Sequence, residues 1–168
     1  KALAAAILGS PDKVKYVPLT AQQRFTALQS GEIDLLSRNT TWNSKRDTTM
    51  GSVFPGVWFF DGQAFVVNSK KNPKVRKLAD LNKASVCVET GTTTERNLAD
   101  YARANKLTFK PVVFEGQEAT EKAFQSGRCD AYTTDSSGIA AMLVNLPSRA
   151  DYTVLPEIIS KEPLGPML

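Results

Sequence analysis

The chain has 168 residues, 42% hydrophobic and 23% charged, with a net charge of +4 and no histidine. That length suits one domain or two small lobes, and the missing histidine excludes Ser-His-Asp and Cys-His nucleophile systems along with the commonest metal ligand. Two cysteines cannot build a Cys-rich zinc site, the scattered lysines are unlike a nucleic-acid face, and no apolar run approaches the ~20 residues of a membrane span.

The first elements are helical and then extended. Ala-rich residues 2–8 favour helix, and Gly9, Ser10 and Pro11 stop it. This stretch is short for the apolar region of a signal peptide and reads as the tail of a longer helix. Residues 14–19 (VKYVPL) alternate as a strand does. Thr20 caps a helix in AQQRFTALQSG, with Phe25 and Leu28 on its apolar side and Gly31 as its stop. Residues 33–37 (IDLLS) read as a short buried strand. Residues 56–68 (GVWFFDGQAFVVN) read as two extended pieces joined at the turn dipeptide Asp61-Gly62.

After a polar connection with one helical turn, strands alternate with helices. ASVCVE, LTFKPVVF, CDAYTTD and DYTVL are the strands. GTTTERNLADYARANK, GQEATEKAFQSG and SSGIAAMLVNL are the helices. Such alternation predicts an α/β fold with a mainly parallel sheet flanked by helices. The wording also repeats: ALQSGEIDLL in the first part returns as AFQSGRCDAY in the second. Two similarly built α/β lobes would place a ligand between them, beyond the carboxyl ends of the strands. Convergence of two short helix-to-strand turns explains the same wording without a shared cleft.

Three strand ends carry the candidate chemistry. The segment SRNTTWNSKRD offers Arg38, Asn39, Thr40, Thr41 and Arg46, a set of hydroxyl, amide and guanidinium donors suited to a carboxylate, although a solvated loop capped by threonine would read the same way. The segment ETGTTTERN follows a strand with a glycine turn and opens a helix whose free N–H groups suit an anion. Its Thr92-x-x-Glu95 spacing equally fits a structural capping box. Asp135, just past a strand in YTTDSSG, either receives an ammonium group or caps the helix beginning at Ser136, and local sequence does not choose. Together the loops match an α-amino acid, which carries one carboxylate and one ammonium.

At these residues the sequence resembles the periplasmic amino-acid-binding proteins of ABC transporters, bilobal type II solute receptors, and within them the general L-amino-acid-binding branch. VKYVPLTAQQRFTALQSGEIDLLSRNTTW, ASVCVETGTTTE, GRCDAYTTD and VLPEIISKEPLGP carry the resemblance, in order along nearly the whole chain. It implies a two-lobed periplasmic-binding-protein-like II fold: residues 1–62 a partial first lobe, 63–158 the second, and 159–168 a crossover back to the first. About half of a typical member is present, so the chain reads as a piece of something larger.

The resemblance also implies roles. Arg46 takes the ligand carboxylate and Asp135 the ammonium. Asn39 and Thr41 contact the ligand from the first lobe, Thr92, Thr93 and Thr94 from the second, and Arg38 a polar or acidic ligand side chain. The family's strand order makes the strands of Cys87 and Cys129 neighbours, which an oxidising periplasm would let bridge. The implied protein captures polar L-amino acids, without cofactor or metal, for a membrane permease. It is periplasmic, made with a signal peptide, and monomeric when complete, although a fragment could associate. The alternative on the same fold is a cyclohexadienyl dehydratase-like enzyme, for which Glu89 is the spare carboxylate, and a third possibility is the sensing domain of a receptor.

Overall fold

The computed structural model describes all 168 residues. Its main body is a five-stranded sheet of β2 (Gln63–Asn68), β3 (Ser85–Glu89), β4 (Lys110–Phe114), β5 (Ala131–Asp135) and β6 (Tyr152–Val154), in the order β4-β3-β5-β2-β6. β3 runs parallel to both β4 and β5, because α4 (Thr93–Ala104) and α5 (Gln117–Gln125) carry the chain back to the same end each time. β2 runs antiparallel to β5 and β6, so the sheet is mixed where the alternation pattern predicted a mainly parallel one. The reason is the direction of entry. Gln63 pairs with Asp135, so β2 starts at the end of the sheet where β3 and β5 finish.

The sheet is buried on both faces, which explains the continuous apolar run AFVV in β2. Ala64 and Val66 point to one side, where Phe124 of α5 and Ile139, Met142 and Leu143 of α6 (Ser136–Val144) pack. Phe65 and Val67 point to the other, against Leu98 of α4, Phe109 and the 3-10 turn Leu78–Leu81. Cys87 and Cys129 form the disulfide, with Cα atoms 5.6 Å apart, inside the first of these layers.

The first lobe holds α1 (Ala2–Leu8), α2 (Gln23–Gln29) and α3 (Ser44–Thr49) around a small cluster of Leu36, Phe54 and Met167. Residues 14–19 form no strand, and 33–37 keep only an isolated bridge from Leu36 to Met167. Alternation describes a surface that a strand could use, but a neighbouring strand must supply the ladder. The Asp61-Gly62 turn is likewise not a hairpin. β1 (Phe59–Asp61) pairs antiparallel with β7 (Glu162–Leu164), and after Gly62 the chain passes into the five-stranded sheet. These two strands are the crossings between the lobes. The returning segment ties the first lobe through Trp42 N–H to the Pro163 carbonyl at 2.8 Å, Gly165 N–H to the Thr40 carbonyl at 3.0 Å, and a two-way pairing of Val53 with Leu168. No helix is long and apolar enough to cross a membrane.

The disulfide closes a loop with a sequence separation of 42. Chain-entropy reasoning gives such a loop about 4 kcal/mol at most. Reduction should therefore lower stability by about 2–4 kcal/mol, read as a fall in the urea midpoint with a steeper slope as the freed unfolded chain exposes more surface, and the Cys87→Ser/Cys129→Ser double variant should match the reduced protein.

Candidate functional site

The first-lobe wall is set by how α3 begins. The Asn43 side chain accepts the Arg46 N–H at 3.0 Å and caps the helix, which fixes Arg46 one turn in. The Arg46 guanidinium turns inward, donates to the Thr41 carbonyl at 2.8 Å and lies 5.0 Å from the centre of the Phe25 ring. Arg24 stacks on the same ring at 4.7 Å and donates to the Asn39 carbonyl and the Thr40 hydroxyl at 3.2 and 3.3 Å. Both are buried. Burial, then Arg46 and Arg38, draws the Arg24 guanidinium down to about 9, while burial draws Arg46 to about 10 against the opposing pull of Glu162. Both remain cationic at neutral pH.

The second-lobe wall begins at the N-terminus of α4. The Thr92 hydroxyl accepts the Glu95 N–H at 3.1 Å, as the capping pattern requires. The Glu95 carboxylate takes the Gly91 N–H at 2.9 Å, so the reciprocal half of the box falls one residue early. Gly91 has φ +73°, and a Cβ there would lie 2.7 Å from the Gln22 side chain of the opposite lobe. The hydroxyls of Thr92 and Thr94 bond each other at 2.8 Å.

Asp135 does not cap α6. Asp61 does that work from β1. It accepts the Ser136 hydroxyl and the Ser137 N–H, and these bonds, with that from Gly62, hold its carboxyl below the usual range although burial opposes them. Asp135 is thereby left free. It is 5% exposed, one oxygen accepts from the Asn39 amide across the lobes at 3.3 Å, and the other has no partner. Burial first, then Glu162 and Asp61, pushes its carboxyl up to about 6.

Of the residues singled out from sequence, Arg46, Thr41, Asn39, Arg38, Thr93 and Asp135 meet along one seam. Thr41 and Thr93 hydroxyls face each other at 3.3 Å, and Arg38 pairs with Glu89 at 3.7 Å. Thr92 and Thr94 stand behind it, in the cap. Three contributors escaped the sequence reading. Arg24 sat in a helix read only for its apolar positions. Glu162 sat in a crossover with no element pattern, yet it is buried and accepts from the Thr41 and Thr93 hydroxyls, the Asn97 amide and the Ser160 hydroxyl. Gln63 heads an apolar strand, is fully buried, and donates to the Thr94 carbonyl and the Thr133 hydroxyl. A lone polar residue in an apolar run was the available signal.

Two cavities open along the seam on either side of Arg38. One, about 370 Å³, is lined by Asn39, Trp58, Phe59 and Ser137. The other, about 300 Å³, is lined by Thr20, Gln23, Glu89 and Gln117. Neither cavity is lined by Arg46 or Asp135; the first reaches toward Asp135 only through Asn39, whose amide bonds that carboxylate.

No family model matches the sequence. The chain is 53% identical over 166 residues to the general L-amino acid-binding periplasmic protein of Rhizobium johnstonii, covering 99% of this chain and 48% of that protein. It thus spans about half the length of the curated relatives it matches. A solved ABC transporter periplasmic binding protein from Brucella ovis, with glutathione bound, is 54% identical with a TM-score of 0.93, over 99% of this chain and 52% of that one. An ancestral arginine-binding protein bound to arginine is 30% identical with a TM-score of 0.82, over 98% of this chain and 69% of that one.

Glu162→Ala would strand four donors and remove a carboxylate that opposes the buried Arg46. It should cost about 3 kcal/mol of stability. Chemical denaturation of the variant beside Glu162→Gln checks this, with the glutamine variant keeping a large part of the loss restored.

Proposed function

The chain belongs to the periplasmic amino-acid-binding proteins of ABC transporters, and from that membership we propose that it holds a polar L-amino acid between its lobes for delivery to a transporter's membrane permease. Residues 1–62 supply the first-lobe wall, 63–158 the second lobe, and 159–168 the return to the first. The ligand's carboxylate is taken by Arg46, with the Thr41 and Thr93 hydroxyls turning from Glu162 to donate to it. Its ammonium goes to Asp135, with Asn39 turning from that carboxylate to the ligand. Thr92 and Thr94 shape the turn beneath Thr93, and Arg38 meets the ligand side chain. Binding of this kind requires no nucleophile, general base or cofactor, and the whole protein acts as a monomeric periplasmic receptor rather than an enzyme.

The observation that carries the reading is Asp135, buried with one oxygen unpartnered and within electrostatic reach of the buried Arg46. A buried carboxylate in that state is costly unless something cationic completes it. An α-ammonium supplies the charge and the hydrogen-bond donor together. The names of the relatives fit the same class: a general L-amino-acid binder, a binding protein with glutathione bound, and an arginine binder.

Calorimetry with a panel of L-amino acids tests the proposal on the whole protein. Arg46→Ala and Asp135→Ala should each weaken binding by about 2–5 kcal/mol, since each leaves a ligand charge without its partner in a closed site. Unchanged affinity in both variants removes the assignment.

The pH dependence has a definite sign. Without ligand, Asp135 holds its proton up to about pH 6. A bound ammonium favours the carboxylate, so binding below that pH must first expel the proton. Affinity should level off above about pH 6 and fall roughly tenfold per pH unit below it. Asp135→Asn should bind weakly with that slope abolished. Titrations at pH 5 in two buffers of different ionisation enthalpy should show a released proton in the wild type only.

A further inference from the structure

Basic residues are scattered along most of the chain, and the stretch after β2 is the exception. Residues 69–83 hold Lys70, Lys71, Lys74, Arg76, Lys77 and Lys83 against one acid, Asp80. That is a net +5 in one short stretch, more than the +4 of the whole chain, so the remainder is together slightly acidic. All six basic residues are exposed. Lys70 pairs with Asp151 at 2.8 Å, and the other five have no carboxylate in ion-pair range, since the remaining ion pairs lie elsewhere.

The stretch is tied down where it leaves the sheet. The Asn68 side chain accepts the Lys70 and Lys71 N–H groups at 3.0 and 3.2 Å, Ser69 N–H donates to the Asp151 carbonyl at 2.7 Å, and the Asn72 amide donates to the Asp130 carbonyl at 3.2 Å. Lys71 Nζ lies against Gly127, where a Cβ would collide with it. These contacts lay the stretch across one end of the five-stranded sheet, where β2 finishes and β3, β4, β5 and β6 begin. Lys83 N–H donates to the Thr108 carbonyl at 2.5 Å and Lys110 N–H to the Ala84 carbonyl at 2.8 Å, which brings exposed Lys106 and Lys110 to the same end. At ~4.8 Å between neighbouring strands, the five strand ends span about 20 Å. Two acids at this end are engaged, Asp151 by Lys70 and Asp130 by the Ser85 N–H and hydroxyl. The opposite ends of β3 and β5, at Glu89 and Asp135, face the seam, so the basic pole is the end of the second lobe turned away from it.

We propose that this pole docks the second lobe on the anionic headgroups of a lipid bilayer. The proposal stands on the charge and its placement, and is independent of which ligand the seam takes. A bilayer with anionic lipid presents a broad plane of phosphates, and each Lys or Arg brought near it strengthens attachment roughly fivefold. A cluster spread over several strand ends fits such a plane better than a single small anion. Neither of the two cavities along the seam reaches the pole. The exposed aromatic side chains, Tyr16, Trp42, Trp58, Phe59 and Phe60, all lie outside it, so it lacks the stacking platforms of a single-stranded nucleic-acid surface. Because the pole is turned away from the seam, docking leaves the lobes free to take a ligand.

The test is co-sedimentation of the whole protein with vesicles of equimolar phosphatidylcholine and phosphatidylglycerol, beside vesicles of phosphatidylcholine alone. At about 25 mM salt the wild type should bind the anionic vesicles at least tenfold more tightly than the neutral ones, and ~150 mM salt should weaken that binding at least tenfold. Lys71→Gln/Lys74→Gln/Arg76→Gln/Lys77→Gln should lose at least tenfold in affinity for the anionic vesicles, while unfolding at the same urea concentration as the wild type because all four side chains are exposed. Lys1→Gln/Lys13→Gln/Lys15→Gln/Lys45→Gln makes the same change of net charge on the first lobe and should bind within threefold of the wild type. Replacing Lys71, Lys74 and Lys77 together by Arg should leave binding intact. Absence of binding at low salt overturns the proposal, as does equal binding to neutral vesicles. Equal loss in the two quadruple variants overturns it too, since net charge and not the pole is then responsible. Release by inorganic phosphate beyond that by chloride of equal ionic strength would show a discrete anion site in place of a docking surface, and also overturns it. The salt and vesicle comparisons decide the matter without any variant, and their failure leaves the amino-acid reading untouched.

Discussion

Six charged groups share the seam between the lobes. Arg24, Arg38 and Arg46 come from the first-lobe wall, Glu89 and Asp135 from the second-lobe strand ends, and Glu162 from the returning crossover. All but Arg38 are buried. Charges at such depth persist only where the opposite sign is at hand and the remaining donors and acceptors are engaged. Two guanidiniums are steadied on the faces of one ring, Phe25, and Glu162 accepts from four side chains. The arrangement exists only while the lobes face each other, so the chemistry of the site and the relative placement of the lobes are one constraint.

The crossings make that placement possible. β1 and β7 pair beside each other, and Gly62 follows β1 where a Cβ would meet Ile158 at 2.4 Å and the Ser160 carbonyl at 2.9 Å. The two passing chains therefore touch at a point that admits no side chain. The same short stretch supplies Asp61, which caps α6, and Glu162, which gathers hydroxyls from both lobes. Because Asp61 performs the capping, the carboxylate of Asp135 is left uncommitted at the end of its strand. A structural task assigned to Asp61 is what leaves one oxygen of Asp135 without a partner.

The second lobe was legible in the sequence because its sheet is covered on both faces, so apolar runs and turn glycines coincide with real elements. The repeated Gln-Ser-Gly wording has a plain cause in part: Gly31 and Gly127 both take left-handed conformations, at φ +75° and +84°, just past α2 and α5. The aspartates that follow do not match. Asp130 accepts from the Ser85 N–H and hydroxyl at 2.8 and 2.6 Å and pins the start of β3, whereas Asp34 is exposed. The first lobe was less legible since its extended segments, 14–19 and 33–37, lack adjacent strands to pair with. Arg24 and Glu162 were hidden for another reason. Periodicity finds apolar positions, and a buried charge declares itself only when its partners from distant parts of the chain are known.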